Sequence, residues 1–334
     1  MSNNIKEIAA LTGVSKSTVS RVISGNGYAS REVRERVLAV VEQLRYKPSA
    51  VARAMVTRRT NNIGVIVFRE NPPIVSHPVY SKLIDSILLA SEAKGYSVFL
   101  KTDREMSLRS TDYMLEQRVD GLILISRLRK NVIDYVKKFD IPYLMVNGTT
   151  DDPEVIHLVS DDEEGGERAA AYLYGLGHRQ FWIIAGPQEH RSHALRLLGF
   201  RSGLARRGVP GTAISVIPSP ESGFENGYRL LAEHWEAFRS KAPTALFATN
   251  DMLALGAMKQ LLERSVSVPQ QVAVMGFDDI DYAAMYSPAL TTVRVDTGRM
   301  GADAVRLLDR LIDKEHGLPK LNRYVSDLVI RQST

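Results

Sequence analysis

From Asn61 onward, short apolar runs alternate with amphipathic stretches of helix length, and this alternation narrows the fold more than any other feature of the chain. The runs include residues 63–68, 98–100, 121–125, 143–146, 181–185, 245–248 and 272–275. Neighbouring parallel strands need a long crossover, usually a helix, which then covers one face of the sheet. The pattern therefore predicts parallel sheets with helices on both faces. About 270 residues is more than one such unit ordinarily holds, so two doubly wound α/β lobes are expected. Ligands in these sheets bind beyond the carboxyl ends of the strands, which makes polar residues just after each run the candidate ligand groups.

The first sixty residues follow a helical period instead. Ile5, Ile8, Ala9 and Thr12 fall on one helical stripe, after which Gly13 can adopt the positive φ that ends a helix. Val14 plugs the corner and Ser15 is a suitable N-cap for a second helix from Lys16 to about Ile23. That helix turns Val19, Val22 and Ile23 inward and leaves Ser17 and Arg21 outward, flanked by Thr18 and Ser20. Hydrogen-bonding side chains gathered at the front of a second short helix are what a major-groove reading helix requires. A third helix starts near Ser30 and packs Val33, Val37, Val40, Val41 and Leu44, and Pro48 stops it.

Charge separates the two regions. Residues 1–60 carry a net of +7 and the remainder a net of −2. A basic head on a faintly acidic body points to a polyanion as the partner of the head. With 44% hydrophobic and 24% charged residues, the chain has the composition of an ordinary soluble globular protein. It has no cysteine, which excludes disulfides, thiolate metal sites and cysteine nucleophiles. The N-terminus lacks a basic-then-apolar signal pattern and no apolar run suits a membrane span, so a cytoplasmic protein without membrane contact is expected.

Catalytic signals are missing from the sequence. No nucleophile–base spacing, zinc spacing or dinucleotide fingerprint is present, so no enzyme activity, catalytic residue, metal or cofactor is expected. Gly25-Asn26-Gly27 reads as a turn between helices. Asp161-Asp162-Glu163-Glu164 reads as favourable first-turn charge on a helix, and His178 as a helix-end cation. His190 and His193 read as surface histidines, with a part in ligand specificity as the alternative.

The wording of the chain carries further information. Ile5-Lys6-Glu7-Ile8-Ala9, Gly13-Val14-Ser15-Lys16-Ser17-Thr18-Val19-Ser20-Arg21-Val22 and Arg45-Tyr46-Lys47-Pro48-Ser49-Ala50-Val51-Ala52-Arg53 closely resemble the head of the lactose-repressor (LacI/GalR) family of bacterial transcription regulators. In the body, Arg118-Val119-Asp120-Gly121-Leu122-Ile123, Arg196-Leu197-Leu198-Gly199-Phe200, Asn250-Asp251-Met252-Leu253-Ala254 and Gly276-Phe277-Asp278-Asp279 resemble the same family. The resemblance implies a helix-turn-helix head over residues 1–47 and a hinge helix with linker over 48–60. Two lobes of periplasmic-binding-protein-like type follow: 61–161 with 293–323, and 162–292 with 324–334, joined by three crossovers.

It also implies roles. Lys16, Ser17 and Arg21 stand where family members read base edges, and Arg21 suits a bidentate bond to guanine. Thr18, Ser20 and Tyr46 are expected at phosphates. Ala52, Arg53 and Met55 belong to the hinge helix, which enters the minor groove, and Met55 replaces the usual wedge leucine. Val79 (where the family usually has an aromatic), Tyr80, Ser126, Asn147, Ser192, Arg196, Asn250 and Asp278 are the expected effector site. Arg196, Asn250 and Asp278 offer a fork of donors, an amide and a carboxylate, a set matched to the vicinal hydroxyls of a sugar. The expected partners are a pseudo-palindromic DNA operator, a carbohydrate effector and a second copy of the chain. A tetramer is not expected, because the chain ends without an added leucine heptad. A nucleobase or phosphorylated metabolite as co-repressor is the alternative. A binding protein or enzyme without a DNA role is the least favoured reading.

Overall fold

The computed structural model describes residues 5–24, 28–46, 59–68, 76–103, 112–116, 118–126, 130–150 and 152–334. The chain divides into two compact units, Met1–Asn61 and Asn62–Thr334.

In the first unit, α1 (Ile5–Thr12), α2 (Lys16–Ser24) and α3 (Arg31–Gln43) close around Ile8, Val19, Val22 and Val37. Gly13 takes a φ of +67°, and the Val14 amide donates to the Ala9 carbonyl at 3.2 Å, so the chain turns sharply out of α1. Ser15 caps α2, its Oγ accepting from the Thr18 amide at 3.1 Å. Ser30 does the same for α3 through the Val33 amide. A core this small leans on such caps, each of which is worth about 1 kcal/mol. The hinge residues Pro48, Ala52, Arg53 and Met55 lie outside the described residues.

The second unit is built on two parallel sheets. The first contains β1 (Asn62–Phe68), β2 (Ser97–Asp103), β3 (Gly121–Ile125), β4 (Tyr143–Val146), β5 (Ile156–Ser160) and β11 (Leu321–Tyr324) in the order β11-β5-β4-β3-β1-β2. The second contains β6 (Phe181–Ala185), β7 (Ile214–Pro218), β8 (Ala245–Ala248) and β9 (Ala273–Met275) in the order β7-β6-β8-β9. Helices cover them, as the sequence pattern predicts. β10 (Thr292–Arg294) and β12 (Asp327–Val329) form an antiparallel pair apart from both sheets. The chain passes between the lobes at three places: after β5, through β10, and between β11 and β12.

Each sheet reverses its winding once, and the reversals locate the crevices where ligands bind such folds. β1 pairs with β2 on one side and β3 on the other, and β6 pairs likewise with β7 and β8. Close helix packing brings the second crevice into shape. Helices Asp162–Gly175 and Arg191–Ala205 meet at Gly166 and Gly199, where a Cβ would run into the backbone carbonyls of Arg196 and Glu163. β5, β7, β11 and β12 are strands that the apolar runs do not mark. β7 is only half-buried and β11 largely exposed, so neither presents a continuous apolar run.

Candidate functional site

On the head, Lys16 is the first residue of α2, and Lys16, Ser17 and Arg21 are exposed. Thr18 and Ser20 are half-buried on the same short helix, while Val19 is fully enclosed behind them. The hydroxyls of Ser17 and Thr18 are tied to Ser15 at 2.7 and 2.9 Å. Their first service is to hold the helix start, where Lys16 stands, while Arg21 is exposed in the last turn. Tyr46 packs its ring on the head core.

In the body, a cavity of about 150 Å³ is lined by Tyr80, Ser126, Asn147, Gly148, Thr149, Val159, Asp162, His190, Arg191 and Ser192. Four of the expected effector residues (Tyr80, Ser126, Asn147 and Ser192) are brought together in it. Ser126 and Asn147 end β3 and β4 in left-handed backbone, with φ of 84° and 56°. Non-glycine residues rarely hold this conformation, and such residues cluster where a ligand is clamped. Gly148 follows because a Cβ there would meet the Ser126 carbonyl. Val79 does not line the cavity: it sits in the first turn of helix Pro78–Ala93 and packs against the apolar core that includes Ile280 and Leu290.

Arg196, Asn250 and Asp278 lie outside the lining, and each is engaged by the protein. Asn250 caps the following helix, its Oδ1 accepting from the Leu253 amide at 3.0 Å and its Nδ2 donating to the Ser222 carbonyl at 2.9 Å. Arg196, 5% exposed, donates through Nε to Asp162 at 2.8 Å and through Nη1 to the Thr249 carbonyl at 2.8 Å, and pairs with Asp278 at 2.8 Å. Its guanidinium lies over the Phe277 ring, 3.9 Å from the centroid. Asp162 thus joins the cavity to the buried arginine. Burial pushes the Asp278 carboxyl up to about 6 against the pull of Arg196, and the charge of Asp162 adds to the rise.

Asp162 stands in the first helical turn, as its sequence reading has it, but it is also 3% exposed and receives the Ser160 hydroxyl at 2.9 Å as well as Arg196. Had β5 been recognised as a strand, the rule that selected Ser126 and Asn147 would have selected Asp162 too. Gly148, Thr149, Val159 and Arg191 were also not anticipated. Of the two histidines, His190 is exposed at the cavity and His193 is buried, bonded through Nδ1 to the Thr249 hydroxyl at 2.8 Å. Burial first, then the charge of Arg196, holds His193 well below its usual pKa. Burial first, then the charge of Arg179, lowers the pKa of His178, whose Nδ1 bonds the Thr244 hydroxyl at 3.0 Å.

Among the described residues no group of three or more His, Asp and Glu is arranged to hold a metal ion, and no helix is long and apolar enough to cross a membrane.

Comparison with known proteins agrees with the fold. Residues 4–49 match the model of bacterial regulatory proteins of the lacI family, and residues 170–334 match a periplasmic binding protein-like domain. The chain is 33% identical to the HTH-type transcriptional repressor PurR of Haemophilus influenzae, over 98% of both chains. Among solved structures it superposes on the Lac repressor dimer bound to operator and the anti-inducer ONPF with a TM-score of 0.85, 26% identity and coverage of 99% and 98%. It superposes on a transcriptional regulator CelR–cellobiose complex with a TM-score of 0.73, 29% identity and 99% coverage of both. The chain therefore belongs to the lacI family of bacterial regulatory proteins, as a DNA-binding transcriptional repressor.

Proposed function

We propose that this repressor binds a pseudo-palindromic operator as a homodimer and that a carbohydrate in the body cavity changes its operator affinity. The observation that carries the switch is the bond from Asp162 to Arg196, which connects the cavity lining to the residues beside the lobe crossovers. Asp162 opens the helix after the first crossover, and the Asp278 amide donates to the carbonyl of Val293 in the second. A ligand hydroxyl that bonds Asp162 competes with its bond to Arg196 and so acts on both passages at once.

The lining supports a carbohydrate. Tyr80 and Val159 offer a small apolar wall, while Ser126, Asn147, Thr149, Asp162 and Ser192 supply hydroxyl, amide and carboxylate partners around it. A cavity near 150 Å³ admits about one six-membered ring. A nucleobase co-repressor is the second reading, supported by the 33% identity with the PurR repressor and by the Tyr80 ring in the lining.

Thermal-shift screening of monosaccharides, disaccharides and nucleobases on the full chain, followed by operator gel shifts, tests the proposal. A sugar that raises the melting temperature and moves the operator titration supports it. A response to nucleobases alone overturns the carbohydrate.

A further inference from the structure

One residue of the cavity carries a charge that a neutral sugar does not use. Arg191 opens the helix Arg191–Ala205, is exposed, and lines the cavity. Among the described residues it makes no ion pair and no hydrogen bond. Its charge is nevertheless felt at β5, where it is second to burial in depressing the pKa of His157. The Asp162 carboxylate on the same lining is committed to Arg196 and to the Ser160 hydroxyl. Among the described residues no carboxylate is bonded to this guanidinium on the cavity lining.

Size sharpens the point. A cavity of about 150 Å³ is filled by about one ring, so a phosphate or carboxylate attached to that ring has to project towards solvent. An exposed guanidinium on the lining meets such a group with two parallel charge-assisted bonds, a geometry that hydroxyls do not match. The amide end of the same helix, whose N-cap His190 makes no side-chain capping bond, adds favourable potential on that side.

We propose that the effector is a single-ring polyhydroxylated compound bearing an anionic group, a phosphate ester or a carboxylate, with the ring against Tyr80 and the anion on Arg191. This rests on the carbohydrate reading of the same cavity. A neutral hexose would meet the guanidinium through hydroxyls alone and leave its charge unused.

Isothermal titration of the full chain with matched probes tests it: glucose against its monophosphate esters and glucuronate, ribose against its phosphate esters, and inorganic phosphate alone. The anionic member of at least one pair is expected to bind roughly tenfold or more tightly than its neutral partner, an advantage that falls with added salt. Arg191→Gln should bring that ratio close to one, and Arg191→Lys should restore part of it, with melting curves of the free proteins checking that both variants fold. Preference for phosphate esters over glucuronate, or the reverse, identifies the anion. If neutral sugars bind as tightly as their anionic partners, or if Arg191→Gln keeps the preference, the anion is overturned and the carbohydrate reading stands. If none of the sugars binds, both fall together.

Discussion

Asp162 and Asp278 belong to different parts of the chain, yet they approach the same buried guanidinium, each at 2.8 Å from a nitrogen of Arg196. The geometry makes Arg196 a shared counter-ion whose removal strands two carboxylates rather than one.

Arg196→Met should therefore destabilise the body by about 3–5 kcal/mol, the cost of leaving buried charge uncompensated. Adding Asp162→Asn and Asp278→Asn should recover most of that loss in urea unfolding. The triple variant should still fail to respond to ligand. A triple variant no more stable than Arg196→Met alone would contradict shared charge balance.

The raised pKa of Asp278 predicts a pH dependence of definite sign. Its native value of about 6 exceeds the ordinary carboxylate value, so the folded state binds the proton more tightly than the unfolded chain. The stabilisation is complete below about pH 4 and is lost as pH rises through about 6, on the order of 3 kcal/mol in all. Asp278→Asn should flatten the change in urea midpoint across that window. An unchanged slope would place the titration elsewhere.

Helix packing at Gly199 allows a test with an internal control. A methyl there would meet the Glu163 backbone, which cannot step aside as a flexible side chain can. Gly199→Ala should cost about 1–3 kcal/mol or prevent soluble expression. Gly175→Ala, in the last turn of the partnering helix and with open space around it, should be neutral or stabilise by about 0.5–1 kcal/mol. Differential scanning calorimetry distinguishes these opposite signs.

Arg21→Ala should lower the affinity for operator over scrambled duplex by roughly tenfold to a hundredfold, while leaving binding that is sensitive to salt. Anisotropy titrations on both duplexes measure the ratio. If the ratio survives, Arg21 contacts backbone and not a base.

What the sequence made legible follows from how local each signal is. The inward stripe of Ile8, Val19 and Val37, the caps Ser15 and Ser30, and the turn at Gly13 depend on neighbours within a few residues, and all are found as expected. Ser126 and Asn147 could be placed because β3 and β4 are wholly apolar runs. Asp162 and Arg191 were beyond reach for different reasons. The role of Asp162 depends on a partner 34 positions away. Arg191 looks in sequence like any surface arginine, and only the folded cavity gives it a place. Val79 shows the converse: its position after the first strand suggested a ligand wall, and tertiary packing uses it between the lobes instead.

β1 has one more consequence. The chain enters the body through a strand with partners on both sides, seven register pairs to β2 and five to β3, and the Asn62 carbonyl is held by the Asp120 amide at 2.7 Å. A tension applied along the strand at Asn62 meets two ladders loaded in shear, which must fail together, whereas an edge strand could be unzipped one bond at a time. A load taken up at Asn62 is thus shared by two neighbouring strands, beside the crevice that holds Ser126.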